Sequence, residues 1–432
     1  MINKKIIPIF IIALTLGLGW AIRGSFGHEW GASWAGAMGA FAIVVVSGNK
    51  NWLKNAPVLA SLGAIGWAVG GMSSYGIVIG YCRTNDFLNV LYGFSMLFII
   101  GGIYGFIGGG FLGLGLESEK ENKPNWANLI SQMVAGAMLT WGFLIYQLEW
   151  FMTPPRSELW AAALGASATL SWFLWRENFK KSFRIAIYTA IGAGIGFSFG
   201  NFIQVIGAAS GIAYNWWNVM EFILGFSGGL AMAYAILTTT WKGEIEFSKS
   251  SNLLAIIFLF IVIPYVNFNQ SFEREYLTKL SEFQSSLSSF DFASLQIYFT
   301  FLTMIVFFVI SIFVWKKYSK NDEYKNENLV TFLFFINSLY YTVFLILRNG
   351  LFYSGFGLEN SNTLYIPILL LIFILVYFQK NNEIKFGESI SVKYYVGNWK
   401  LLTSLILVIL ILISFVSINI NSDLPGAHFR FE

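Results

Sequence analysis

Residues 34–40 read Trp34-Ala35-Gly36-Ala37-Met38-Gly39-Ala40, and residues 160–166 read Trp160-Ala161-Ala162-Ala163-Leu164-Gly165-Ala166. The offset is 126 residues (160 − 34). At the same offset Ile65-Gly66 and Gly70 return as Ile191-Gly192 and Gly196. Gly93-Phe94-Ser95 then returns as Gly225-Phe226-Ser227 at offset 132, after a six-residue insertion. The first 240 residues or so read as one unit written twice. In a chain this apolar, such a duplication predicts a membrane protein with two pseudo-symmetric halves.

Composition points the same way. Charged residues are 12% of the chain and apolar residues 56%, with mean hydropathy +0.63; a soluble domain carries about 25% charge. Apolar segments of the length needed to cross a hydrocarbon core about 30 Å thick recur along the chain. Thirteen are predicted, at roughly 6–22, 30–48, 56–80, 87–115, 127–148, 158–175, 183–210, 215–240, 252–267, 292–315, 329–347, 363–379 and 400–420. Met1 to Ala21 resembles a signal peptide, but no small-x-small cleavage site follows, so it reads as an uncleaved first helix.

The intervening loops alternate in charge. Twenty of the 27 basic residues, mostly lysines such as Lys4, Lys5, Lys50, Lys54, Lys120, Lys123, Lys180 and Lys181, fall on one side. The other seven are Arg23, Arg83, Arg156, Arg274, Lys279, Arg348 and Arg430. The positive-inside rule puts the N-terminus in the cytoplasm and the C-terminus outside, which needs an odd number of spans. The expected fold is therefore an all-α polytopic membrane protein: a 4+4 parallel tandem repeat followed by about five further helices. Residues 1–126 form the first unit, 127–245 the second, and 246–432 a C-terminal region with an external loop at 268–291 that suits a short amphipathic helix. With four spans per unit, the pseudo-axis runs along the membrane normal, and a solute path is expected between the halves.

The densest chemistry is the first external turn, Gly19-Trp20-Ala21-Ile22-Arg23-Gly24-Ser25-Phe26-Gly27-His28-Glu29-Trp30-Gly31. Charges beside hydrocarbon are costly unless paired or hydrated. Arg23 is expected to hold an anionic group, with His28 and Glu29 moving protons; the bland alternative is an Arg23–Glu29 pair that locks the turn. The glycines suit a broken helix whose free N–H groups hold an anion. At offset 126 Arg23 falls opposite Glu149, near Arg156, the arrangement expected of a charge pair across the pseudo-two-fold. Arg83 and Asp86 lie in the turn after the third span. Glu221 is an intramembrane carboxylate and so a functional candidate. Asn201 and Gln204 share a helix face, and Arg348 ends the eleventh span. The tail with Asp423, His428, Arg430 and Glu432 is expected to be disordered, the alternative being that Phe429 and Phe431 fold it back over the mouth.

Other classes are excluded by what the residues lack. Cys82 is the lone cysteine, so there is no internal disulfide and no cysteine-based metal cluster. No phosphate-binding Gly-Lys-Ser/Thr loop, metal-ligand spacing or potassium-filter run is present, and no cofactor is implied. Nucleic-acid binding is not indicated, because the lysines sit in short loops. The leading reading is a secondary, ion-coupled transporter of a small anionic or polyhydroxylated solute, with enzymatic activity left open. One alternative is an integral-membrane transferase acting on a lipid-linked or glycan substrate at the outer face. The other is a non-catalytic subunit of a membrane complex. The lipid bilayer and a small solute are the expected partners, with a homo-oligomer left open. The Ile, Lys, Asn and Phe bias suggests an AT-rich bacterial genome, and the expected location is the bacterial inner membrane.

Overall fold

The computed structural model describes residues 3–241, 243–284, 289–320, 327–349, 362–379, 398–420 and 424–431. Of the residues named above, Asp423, Glu432 and part of the 268–291 loop lie outside them. The chain is all-helical, with no β-strand among the described residues, and ten helices are long and apolar enough to cross a membrane. Two shorter apolar helices, Ala56–Gly71 and Leu364–Gln379, accompany them.

Six helices form a closed antiparallel ring. They are α1 (Asn3–Arg23), α2 (Glu29–Ser47), α4 (Ala56–Gly71), α6 (Phe87–Glu117), α9 (Lys180–Ala209) and α10 (Trp216–Leu237); the short α3 (Lys50–Lys54) and α5 (Gly76–Tyr81) lie in the connections. Each packs on the next, and α10 packs back on α1. Glycine makes every seam close, because helix backbones in lipid associate through van der Waals contact that small residues permit. A Cβ on Gly19 would meet Ala35, and one on Gly36 would meet the backbone of Gly63. Gly70 lies against Tyr104, Gly101 against the Ala193 carbonyl, Gly200 against Met220 and Gly225 against the Leu16 carbonyl.

Large aromatic side chains fill the ring. Trp20, Trp67, Tyr104 and Phe197 are buried. Trp20 stacks on Tyr104 with centroids 5.4 Å apart and meets the edge of Trp67, also at 5.4 Å. Trp67 reaches across to Gly108 and Gly228, whose missing side chains make room for the indole. Stacked and edge-to-face pairs of this kind each contribute about 0.5–1.5 kcal/mol beyond area burial.

The remaining helices wrap the ring. Helix α7 (Trp126–Trp141), continued by a wider π-turn segment at Gly142–Gln147, pairs with α8 (Leu159–Arg176), and α8 rests on α6 and α9. Helices α11 (Lys249–Ile257) and α12 (Ile263–Ser271), joined through Phe258–Val262, lie against α4 and α2 respectively. The predicted amphipathic segment forms α13 (Arg274–Gln284), with Leu277 buried and an exposed Glu275–Lys279 ion pair. Helix α14 (Ser289–Lys320) packs on α13 and α15; α15 (Glu327–Arg348) and α16 (Asn362–Gln379) pack on α2 and α1, and α17 (Trp399–Ile420) on α6 and α9. Burial falls from 94% for the span in α2 to 17% for that over Trp126–Gln147, as expected if outer faces meet lipid.

The two ends of the ring differ. At the lysine-rich end, Asn51 exchanges two 2.9 Å hydrogen bonds with the Ile245 backbone, and Glu117 caps α9 by accepting from Ser182 N at 2.8 Å. The opposite end carries the turns after Arg23, Gly71, Gln147 and Ala209.

Residues 424–431, at that opposite end, are packed against the ring rather than disordered as expected. His428 N donates to Gly80 O at 3.1 Å, Asn89 Nδ2 donates to His428 O at 2.8 Å, and Arg430 N donates to Asn89 Oδ1 at 2.7 Å. Phe431 packs edge-on against Tyr92, and the His428 ring fills the space left open by Gly80. Backbone hydrogen bonds to a buried asparagine hold the segment, a contribution that composition alone does not reveal.

Candidate functional site

Helix α1 ends at Arg23, and the chain turns back within five residues through Gly27, whose φ of +84° favours glycine. Gly31 lets α2 approach closely, since a Cβ there would sit 2.9 Å from Arg23 O. The turn directs Arg23 into the ring, where it is 2% exposed.

Arg23 meets an acid from the far side of the sequence. Its Nη1 donates to Glu221 Oε1 at 3.0 Å, and Glu221, on the second turn of α10, is fully buried. The Tyr75 hydroxyl joins both partners: it accepts from Arg23 Nη1 and donates to Glu221 Oε1. Arg23 Nη2 lies 2.9 Å from His28 Nδ1. A guanidinium only donates, so Nδ1 accepts and the imidazole proton is on Nε2. The guanidinium carbon also lies 4.9 Å from the Trp20 ring centre and 5.3 Å from that of Tyr75.

Tyr75 comes from a break in the third predicted span. The expected helix over 56–80 is two pieces, α4 and α5, separated by Met72-Ser73-Ser74-Tyr75. Ser73 O accepts from the Tyr104 hydroxyl. The broken helix is therefore here, and the turn between α1 and α2 is an ordinary helix–helix reversal.

Four buried polar atoms around this cluster have no hydrogen-bond partner: Trp20 Nε1, Arg23 Nε, Ser73 Oγ and Glu221 Oε2. The Trp217 indole lies beside the same carboxylate and stacks on Tyr75. Native interiors satisfy nearly all such atoms, so four around one ion pair mark a site that is costly as a mere lock. Asn218, one turn before Glu221, donates to the Tyr365 hydroxyl of α16, and Tyr341 of α15 donates to Gly31 O at 2.9 Å. The C-terminal region thus supports the cluster from outside the ring.

His28 lies outside the spans, and its pKa is lowered to about 3, first by burial and then by the charges of Arg23 and Arg156. At physiological pH it is therefore a neutral acceptor for Arg23 Nη2.

The other expected residues fall elsewhere. Glu29 is exposed at the start of α2 and does not pair with Arg23. Glu149 is exposed and takes a left-handed φ of +52° just past the end of the α7 π-turn; Arg23 pairs with Glu221 instead. Arg156 is exposed on the rim, with its charge reaching His28. Arg83 donates to Pro425 O at 2.7 Å and holds the C-terminal segment, while Asp86 caps α6 by accepting from Asn89 N at 2.7 Å. Asn201 donates to Gln204 at 2.7 Å, both buried between α9 and α10. Arg348 lies over the Tyr276 ring at 4.6 Å.

Tyr75 is the residue that sequence reasoning missed; the signal was Ser73-Ser74, two polar residues interrupting an apolar run. The chain also contains two Gly-x-Ser-x-Gly stretches, Gly196 to Gly200 and Gly225 to Gly229. Both lie inside helices, and Ser198 Oγ donates to Phe94 O at 2.8 Å. Neither forms the strand-to-helix elbow that exposes a nucleophilic serine. No group of three or more His, Cys, Asp or Glu able to hold a metal occurs among the described residues. No protein-family model matches the chain, and comparison with curated proteins and with solved structures gives no match.

Proposed function

We propose that the protein is a multi-pass secondary transporter of a small polar solute, with Arg23, Tyr75 and Glu221 as its solute site beneath the outer face. The observation that carries this reading is a buried ion pair with four unpartnered polar atoms around it, near one end of a closed helical ring. Intramembrane charges are expensive and tend to mark solute and ion pathways. The aromatic layer of Trp20, Trp67 and Tyr104 then acts as the seal below the site in an occluded state. The short connections at this end favour transport over a transferase, which needs room for a bulky acceptor.

The finer architecture belongs to the same proposal: thirteen spans, cytoplasmic N-terminus, external C-terminus, a bacterial inner membrane and the 4+4 repeat. Equivalent glycines support the repeat. Gly39 of α2 faces α1 at Leu16, and Gly165 of α8 faces α7 at Gly136. Gly66 and Gly70 of α4 face α6, while Gly192 and Gly196 of α9 face α10.

The test is thermal stabilisation of the purified protein by organic anions, sugars and lipid-linked glycans, beside Arg23→Ala. A soluble compound that stabilises wild type and not the variant supports the site. Stabilisation by lipid-linked compounds alone moves the reading to a transferase, and no response moves it to a structural subunit.

A further inference from the structure

We propose that the Arg23–Glu221 pair exchanges for a proton and a monocarboxylate, taken up together: the proton goes to Glu221 and the solute carboxylate to Arg23. This rests on the reading of the cluster as a solute site.

Charge balance is the first argument. Arg23 and Glu221 form a buried pair of zero net charge, and His28 is a neutral acceptor. A bare anion entering beside them would leave a net negative charge in a low-dielectric site, which is strongly unfavourable. If Glu221 takes a proton from the outer solution as the anion enters, one negative charge replaces another and the site stays neutral. A dianion would break that balance, and a neutral sugar would leave the ion pair closed.

Chemistry is the second argument. The group displaced from Arg23 Nη1 and the Tyr75 hydroxyl is itself a carboxylate, so a carboxylate solute replaces it like for like. Of the four unpartnered atoms, Trp20 Nε1 and Arg23 Nε are donors and Ser73 Oγ can donate. They suit an incoming acceptor. The fourth, Glu221 Oε2, is the carboxylate oxygen not engaged by Arg23 or Tyr75; it lies beside the Trp217 indole and is the place for a proton.

Access is the third. Gly24 is exposed, and a Cβ built on it would lie 3.5 Å from Asn218 Oδ1 and 3.7 Å from Glu221 Cγ. The carboxylate is therefore one residue beneath the outer surface, while the aromatic layer closes the inner side.

The groups facing Glu221 are few. Arg23 and His28 come from α1 and its turn, Tyr75 from the α4–α5 break, Tyr104 from α6, and Tyr341 from α15. Tyr365 of α16 reaches it through Asn218, and α9 contributes the uncharged Asn201 beside Met220. Glu29 at the head of α2 is exposed. Among these, Glu221 is the one buried acid that pairs with Arg23.

The test measures proton uptake and binding on the purified full chain in weakly buffered detergent solution, with lactate, gluconate and benzoate as probes. Wild type should take up about one proton per carboxylate bound, and its Kd should tighten about tenfold per unit fall in pH, as linkage requires. Glu221→Gln should bind without proton uptake and without pH dependence, and Arg23→Gln should not bind. The wild-type proton count needs no variant, so misfolding of Glu221→Gln leaves the test intact. If Arg23→Gln abolishes binding but wild-type binding takes up no proton, the exchange is refuted and the solute site stands. If Arg23→Gln binds normally, or no carboxylate binds, the exchange is refuted; the former also removes the site.

Discussion

Removing the Glu221 carboxylate while keeping Arg23 should be among the most destabilising polar changes in the chain, and removing both charges together should restore much of the loss. Charge centres about 4 Å apart at an effective dielectric near 20 interact by about 4 kcal/mol. Breaking a buried pair from one side typically costs about 3–5 kcal/mol, because the survivor is left uncompensated. In Glu221→Leu the survivor is a guanidinium, which cannot shed its charge. In Arg23→Met the survivor is a carboxylic acid that can take a proton, so that variant should be milder and should recover as pH falls. The double variant replaces the pair with apolar side chains and should lie within about 1–2 kcal/mol of wild type. Cys82 is a natural reporter: it is the lone cysteine, it is buried, and burial pushes its thiol well above the usual range, so a fluorogenic maleimide reacts only on unfolding. Extending the size scaling of melting temperatures to this length gives roughly 1–2 °C per kcal/mol, so Glu221→Leu should melt about 3–10 °C lower. A double-mutant coupling below about 1 kcal/mol would show that the pair is not a dry ion pair, and the argument for a compensated site would fall with it.

Three further outcomes follow from neighbouring contacts. His28 is held neutral with a pKa near 3 against an ordinary 6.5, so the unfolded chain binds the extra proton and stability falls as pH drops from about 6.5 toward 3. Between pH 7 and 5 the loss should be about 2 kcal/mol, read as the difference between wild-type and His28→Gln melting curves, since the variant lacks this component. Gly105→Ala should cost about 1–3 kcal/mol, because its Cβ collides with the Thr189 carbonyl of α9, whereas Gly102→Ala, with its nearest neighbour at 3.7 Å, should be neutral or slightly stabilising in the same assay. Asn89→Ala removes the bonds to His428 O and Arg430 N and should loosen the C-terminal segment by about 2 kcal/mol, detected as faster carboxypeptidase trimming at unchanged melting of the ring.

Helical class was legible because apolar length is a one-dimensional property: ten of the thirteen expected segments contain helices long and apolar enough to span. The glycines were legible as small faces, but their partners were not. Gly101, Gly105 and Gly109 mark one seam on α6, yet only the structure shows that α9 fills it and that α10 returns to α1. Ring closure depends on contacts between residues about 200 apart, such as Leu16 with Gly225, and no local periodicity records them. The break in the third span was partly legible in Ser73-Ser74, but the surrounding apolar run outweighed two small polar residues.

The site shows the same limit from the side of charge. Arg23 and Glu221 each stood out alone, as ionisable residues in apolar surroundings. Pairing Arg23 with Glu149 failed because equivalence between sequence units does not imply contact: α7 and α8 pair with each other outside the ring, and only α9 and α10 enter it. Glu221 enters with α10 and faces α1 directly, so the acid that could compensate Arg23 was the one on a ring helix. The same reasoning separates Arg23 from the other arginines of that set. Arg83 and Arg348 lie at the periphery, where a backbone carbonyl and a tyrosine ring hold them. Arg23 alone among those seven basic residues is directed into a closed ring against a buried carboxylate, where moving a charge requires moving its partner as well.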